Sequence, residues 1–330
     1  MKICTRKPVY DMEKWITHYV KDMRRDEMAE NTITLYQRLL EHLKTFVDLS
    51  DIKSIKEIDA EYILRFLEWM EGRHAEKTGN DRFIYTNSTK MIYLLILRTF
   101  FDYIEEKAEL EEDGSQFTFS YEFKEITKKR GRKAKKKREI KHLSYDEIDK
   151  LISYLDTEIE FRGRHYDYIY SLAIKLMLYA GLRVSECLSL KFGDLSIYRS
   201  KEGEEIIEIR LEDTKSGTEQ YVPMKLSHIK EEYQYLLAKE VGRDQYIVSN
   251  KRFDSKLDRS NLYVKVNMIY LKAGIVDKKG LHILRHTSAM MLLDKVGDIT
   301  YVKELLRHSN ITTTMVYVHR SVKQLGERVV

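Results

Sequence analysis

Two prolines in 330 residues, Pro8 and Pro223, are the feature that most narrows the folds open to this chain. Proline lacks the N–H that a helix interior needs and clashes with the preceding turn, so a chain nearly without it has room for long helices. The apolar spacing uses that room. In NTITLYQRLLEHLKTFVD, residues 31–48, Ile33, Tyr36, Leu40, Leu43 and Phe46 recur three or four apart, the period of an amphipathic helix. EYILRFLEWM at 61–70 repeats the pattern, and STKMIYLLILRTFFDYI at 88–104 is a more apolar version suited to burial. Residues 1–115 therefore read as a small helical domain.

The next stretch loses the period and gains charge. EEDG gives way to KKRGRKAKKKR, and ten of the fourteen residues from Lys128 to Lys141 are Lys or Arg on a chain whose net charge is only +5. A basic run this concentrated predicts a polyanionic partner at one place. Residues 116–141 read as a basic linker. Lys128, Lys129, Arg130, Arg132, Lys133, Lys135, Lys136, Lys137 and Arg138 are candidate contacts to a nucleic-acid backbone; a solvated, idle charge run is the competing reading.

A second domain is predicted over 142–330. It opens with Ser144 three residues before Glu147, the spacing of a capping box in which each side chain satisfies an orphan backbone N–H. YIYSLAIKLML at 168–178 is apolar enough for a buried helix, and Gly181 suits its C-terminal stop. One stretch departs from helix. In EIIEIRLEDTKSGTEQYVPM, Ile207, Ile209 and Leu211 alternate with Glu208, Arg210 and Glu212, as in a strand with one buried face. TKSG then supplies a turn, so a β-hairpin is expected with Lys215 at or beside its tip. The fold class is mainly α, with a small hairpin or sheet.

Several classes are excluded. Cys4 and Cys187 are too few and too far apart for a disulfide framework or a zinc site. No apolar run reaches the roughly 18 residues of a membrane span, and the N-terminus has no signal-peptide core. A soluble cytoplasmic protein in a reducing compartment is expected. There is no Gly-rich phosphate loop ending in Lys-Ser/Thr, and no cluster of carboxylates of the kind a two-metal nuclease uses.

The chemistry-bearing stretches lie in the second domain. In LHILRHT, His282 and His286 are four apart, as zinc ligands on a helix would be, but Arg285 between them repels a cation and Ile283 stands where a metalloprotease needs Glu. His282 and Arg285, three apart, share a face and make a better phosphate site than metal site. In GLRVSECL, Arg183 follows Gly181 at a helix junction; a surface arginine paired with Glu186 one turn on is the plain alternative. Last comes LLRHSNITTTMVYVH, with His308 nine residues before Tyr317. Several potential cations in one place repel unless an anion sits among them, and a phosphate is such an anion.

Taken in order, GLRVSE, a lysine on a hairpin, HILRH and LLRHSNITTTMVYVH resemble the tyrosine recombinases, the phage integrase and Xer group. The resemblance covers roughly residues 142 to 325; the first domain is similar in helical pattern to that family's core-binding domain. It implies a site of Arg183, Lys215, His282, Arg285, His308 and the nucleophile Tyr317, braced by Glu186. His286 and His319 match flanking positions. Two departures stand out. Arg307 occupies a position where the family usually has glycine, and there it either contacts phosphate or alters the turn. Lys215 lies in DTKSG rather than between glycines, so Lys201 and Lys225 remain alternatives.

The resemblance implies a DNA strand transferase that needs neither metal nor ATP, working through a 3′-phosphotyrosyl intermediate and a Holliday junction. Its expected partners are double-stranded DNA carrying a specific recombination site, a homo-tetramer of the chain on two such sites, and a DNA translocase if the role is Xer-type. A Xer-type role in resolving chromosome dimers is favoured; an integrase or transposase of a mobile element is the alternative. A type IB topoisomerase is disfavoured by motif order, and a non-catalytic DNA-binding protein by the presence of the nucleophile. Asn310 or Thr312 is expected to cap the short helix carrying Tyr317, with threonine hydroxyls near DNA able to contact backbone phosphate; mere turn and cap residues are the competing reading.

Overall fold

The computed structural model describes residues 12–50, 52, 55–80, 83–108, 141–212 and 219–307. The chain divides into two compact units, Met1–Lys136 and Lys137–Val330.

The first unit is built from α1 (Met12–Arg25), α2 (Glu30–Asp48), α3 (Ala60–Thr78) and α4 (Asn87–Lys107). The predicted apolar stripes form its core: Ile33, Leu40 and Leu43 of α2, Ile63 and Phe66 of α3, and Leu97, Phe100 and Phe101 of α4 are all buried. Each such side chain removed from water contributes about 1.5–3 kcal/mol. Local signals set the helix limits. The Asp59 carboxylate accepts from the Tyr62 N–H at 2.7 Å to start α3, and Gly79, at φ +65°, ends it in the left-handed conformation that costs glycine least.

The second unit is also mainly helical. It contains α5 (Tyr145–Arg162), α6 (His165–Tyr179), α7 (Val184–Ser189), α8 (Lys230–Ala238), α9 (Arg259–Lys272), α10 (His282–Val296) and α11 (Ile299–Leu305). The Ser144–Glu147 capping box forms as its spacing predicts, with both reciprocal bonds made. Helix α6 is the axis: α5, α7, α8, α9 and α10 all pack on it, and Leu172, Ile174, Leu176, Met177 and Leu178 are buried from every side. A lysine sits within this apolar helix. Lys175 is compensated by Glu232 of α8 and Asp156 of α5, each 2.8 Å from its Nζ. Burial alone would lower its pKa; those two carboxylates reverse the direction and keep it charged.

The sheet has one strand more than the expected hairpin. β1 (Leu195–Arg199), β2 (Glu205–Glu212) and β3 (Glu219–Lys225) form an antiparallel meander in the order β1-β2-β3. Ile207 pairs with Met224 and Ile209 with Val222, which puts the predicted apolar face on the core and Glu208 and Arg210 away from it. LSIYR shows no alternation of burial, because β1 is an exposed edge strand. Among the described residues no helix is long and apolar enough to cross a membrane.

Candidate active site

The site grows from the end of α6. After Ala180 the chain turns at Gly181, φ +61°, and a Cβ there would lie 2.7 Å from Leu306 Cδ2 and 3.0 Å from Ser288 Oγ. Only glycine allows both the left-handed backbone and the approach of α10 and α11 to this turn. The turn delivers Arg183 to the start of α7. At the third position of that helix Glu186 folds back, and its Oε2 accepts the Arg183 backbone N–H at 2.6 Å while its Oε1 takes Arg183 Nη1 at 2.6 Å. The pairing that the sequence suggests for a plain surface arginine is therefore present.

Two further guanidiniums reach the same carboxylate. Arg285 Nη1, from α10, is 3.7 Å from Glu186 Oε2, and Arg307 Nη2, from the residues after α11, is 2.7 Å from it. Burial pushes the Glu186 carboxyl up, but Arg307 first and then Arg183 outweigh this and hold its pKa below the usual carboxylate range. Glu186 is thus an anion already present among these cations, so the cluster does not by itself require a phosphate. What remains is an excess of positive charge: three guanidiniums share one carboxylate, and the Arg183 side chain is 41 % exposed. A phosphate oxygen can reach that guanidinium.

The same arginines hold the carbonyls at the end of α11, which have no partner within the helix. Arg285 Nη2 donates to the Leu306 carbonyl and its Nη1 to the Gly181 carbonyl at 2.5 Å. Arg183 Nη2 donates to the Arg307 carbonyl at 2.9 Å, and Arg307 Nη1 to that of Leu305 at 3.0 Å. The segment leading to His308 is therefore fixed by the groups that form the cationic cluster. Arg307 itself adopts φ +55°. For a residue with a Cβ that conformation costs on the order of 1 kcal/mol. Its side chain turns inward onto Glu186 and is only 6 % exposed.

His282 opens α10 one turn before Arg285. Its pKa is lowered, chiefly because the protein around it desolvates the ring, and further by Arg259, Arg285 and Arg183. A neutral imidazole able to accept a proton results. His286 is pushed down to about 4 by burial, His282, Arg285 and His142, which leaves it neutral at physiological pH and not poised to titrate. Arg259 is a contributor to the site's field that motif reading missed. The signal was a basic residue at the first position of a helix, in DRSN, where the helix dipole disfavours a cation. Next to Glu186, Cys187 is fully buried and its thiol is pushed up to about 12 by burial, so it takes no part in nucleophilic chemistry.

The structure thus brings Arg183, Glu186 and Arg285 into contact and puts His282 in their field. Lys215, His308, Tyr317 and the basic linker residues lie outside the described residues. The alternatives to Lys215 sit at the end of the sheet where β1 turns into β2. Lys225 is in register with Ile206 at the start of β2, its Nζ 3.2 Å from Glu204, and Lys201 lies in the β1–β2 turn.

Helix α6, the α7 turn and the arginine cluster define a class that comparison with known proteins identifies. Residues 141–324 match the phage integrase family, and residues 11–115 match the phage integrase SAM-like domain. The chain belongs to the phage integrase family of tyrosine recombinases, and within it is Xer-like. It is 27 % identical over 293 residues to the tyrosine recombinase XerH of Campylobacter jejuni, covering 87 % of this chain and 74 % of that one. It is 27 % identical over 307 residues to a tyrosine recombinase of Thermosipho africanus, covering 91 % and 92 % respectively. The fold is that of the XerH site-specific recombinase crystallised with palindromic difH substrate in a post-cleavage complex, with a TM-score of 0.72, 20 % identity, and coverage of 99 % of this chain and 97 % of that one.

Proposed function

We propose that this chain is a site-specific recombinase that cuts and rejoins DNA through a 3′-phosphotyrosyl intermediate. The observation that carries the reading is the convergence of Arg183 and Arg285, from distant parts of the domain, on one carboxylate beside the segment that leads to His308 and Tyr317. Arg183 and Arg285 bind the scissile phosphate and stabilise the charge that grows on its oxygens in the transition state. The Tyr317 hydroxyl attacks phosphorus, its proton passes to neutral His282, and the bond to the 5′ oxygen breaks as Lys215 protonates the leaving group. His308 donates a further hydrogen bond to the phosphate, and Arg259 fits a contact to the flanking backbone. One phosphodiester is exchanged for another, so the reverse attack by a 5′ hydroxyl from a second duplex needs no ATP, and no metal takes part in the step. The basic linker, residues 116–141, joins the helical domain, 1–115, to the catalytic domain, 142–330, and lies along the DNA backbone.

Strand exchange passes through a Holliday junction held by four copies of the chain on two sites. Resolution of chromosome dimers in the cytoplasm, with a DNA translocase as partner, is the favoured role, supported by the likeness to XerH of Campylobacter jejuni; integration of a mobile element is the alternative. Sequencing the DNA that the protein retains from its own genome separates the two.

The test of the chemistry is a duplex nicked near the cleavage position, from which the small fragment carrying the attacking 5′ hydroxyl is lost. Wild type is expected to give a protein–DNA adduct stable to detergent, with EDTA present and no ATP. Tyr317→Phe is expected to bind the duplex and give none. An adduct that persists in Tyr317→Phe, or a strict requirement for a divalent metal, overturns the reading.

A further inference from the structure

Arg307 is held at some cost to the fold. It is a non-glycine residue in the left-handed region, φ +55°, directly after α11. Its side chain is buried, yet among the described residues its Nε has no hydrogen-bond partner, an arrangement that costs stability. Its two terminal nitrogens are used: Nη2 meets Glu186 Oε2 at 2.7 Å and Nη1 donates to the Leu305 carbonyl at 3.0 Å. Burial lowers its own pKa and Glu186 opposes that, but a guanidinium remains protonated throughout the physiological range.

The geometry divides the Glu186 carboxylate between two arginines of different character. Oε1 holds Arg183, the half-exposed one; Oε2 holds Arg307, the buried one. For Arg183 to give its Nη1–Nη2 pair of donors to a phosphate it must leave Oε1 and release the Arg307 carbonyl that its Nη2 holds. A buried carboxylate abandoned by its partner would then repel the incoming anion at short range and draw Arg183 back. Arg307 stays, because its side chain is enclosed and its Nη1 is tied to the Leu305 carbonyl.

We propose that Arg307 is a positioning residue for strand cleavage: it keeps the Glu186 carboxylate in place and neutralised, so that Arg183 can exchange that carboxylate for the scissile phosphate. The proposal rests on the recombinase reading above and adds to it a third arginine that never touches DNA.

The experiment compares wild type, Arg307→Gly and Arg307→Lys in single-turnover adduct formation on the nicked duplex, with DNA affinity and thermal unfolding measured beside it. Glycine accepts φ +55° without strain, so Arg307→Gly tests the lost charge rather than a distorted turn. It is expected to cleave at least about tenfold more slowly while its Kd for the duplex stays within about threefold of wild type. Arg307→Lys, which keeps one cationic donor, is expected to recover most of the rate. The pH profile gives a readout that a merely structural role would not move. The groups facing Glu186 are Arg183 at the start of α7, Arg285 from α10, Arg307 after α11 and the adjacent Cys187 thiol. Removing Arg307 takes away the strongest charge opposing burial, so the carboxyl protonates at higher pH and the acid limb of the cleavage profile shifts toward neutrality.

Wild-type rates in Arg307→Gly overturn the proposal. So does a slow Arg307→Gly that lysine does not rescue and whose acid limb stays in place. If Arg307→Gly does not fold, Arg307→Lys carries the test alone: a loss of more than about tenfold with unchanged thermal stability overturns the idea, and a rate within about threefold of wild type sustains it. Absence of an adduct in wild type would overturn the functional reading itself, which separates that failure from this one.

Discussion

At Gly181 one added methyl group meets two walls, Leu306 of the segment after α11 and Ser288 of α10. Gly181→Ala is expected to destabilise the second unit by about 1–3 kcal/mol, through overpacking and a strained backbone together. Urea unfolding checks this; a midpoint within error of wild type would mean the clash relaxes without cost. The cost should also appear as slower cleavage, because the carbonyl of the same residue accepts from Arg285. The need for glycine here was legible as a helix stop in the run YIYSLAIKLMLYAG, but not its closeness to Leu306, which depends on helices more than a hundred residues later. Arg183, Glu186, His282 and Arg285 were legible as a set through motif order. Arg307 was legible only as a departure. Its inward turn onto Glu186 follows from where α11 ends relative to α7, and no local spacing encodes that.

The sheet and the helix ends teach a similar lesson one level up. β2 and β3 were readable because one face is buried and the other wet, so Ile207, Ile209 and Leu211 alternate with charged residues. β1 was missed because it pairs only through β2 and its side chains are mostly exposed, leaving no period to find. Lys175 could not have been foreseen as buried from its own helix; its partners come from α5 and α8. Residues 213–218 join β2 to β3, and the lysine among them is the proposed general acid. Lys215→Ala is expected to slow cleavage by about a hundredfold or more while leaving DNA affinity close to wild type, the usual scale for a lost proton donor. A duplex with sulfur in place of the leaving 5′ oxygen, which departs without a proton, should restore most of the rate. Without that rescue Lys215 is not the acid. Lys201 and Lys225, at the β1–β2 end of the sheet, would then need testing.

For the molecule as a whole, the charge is concentrated rather than large: net +5, with ten basic residues between Lys128 and Lys141. Neutralising Lys133, Lys135, Lys136 and Lys137 together is expected to reduce the salt dependence of DNA binding by up to about 0.9 in the log–log slope for each phosphate no longer neutralised by a lysine. Affinity should fall alike for specific and unrelated sequences. A slope that stays the same would show the run to be idle. Each of the two units has its own buried apolar core. The fixing of the α11 carbonyls by Arg183 and Arg285 has a practical consequence for anyone dissecting such an enzyme. Those two residues are beams as well as tools, and trimming Arg285 leaves the Gly181 and Leu306 oxygens without their donor in a buried place. An inactive protein made at Arg285 would conflate a blunted reaction with a loosened scaffold. A chain changed only at the proposed nucleophile, Tyr317→Phe, keeps both arginines and is expected to be the better bait for trapping uncut DNA.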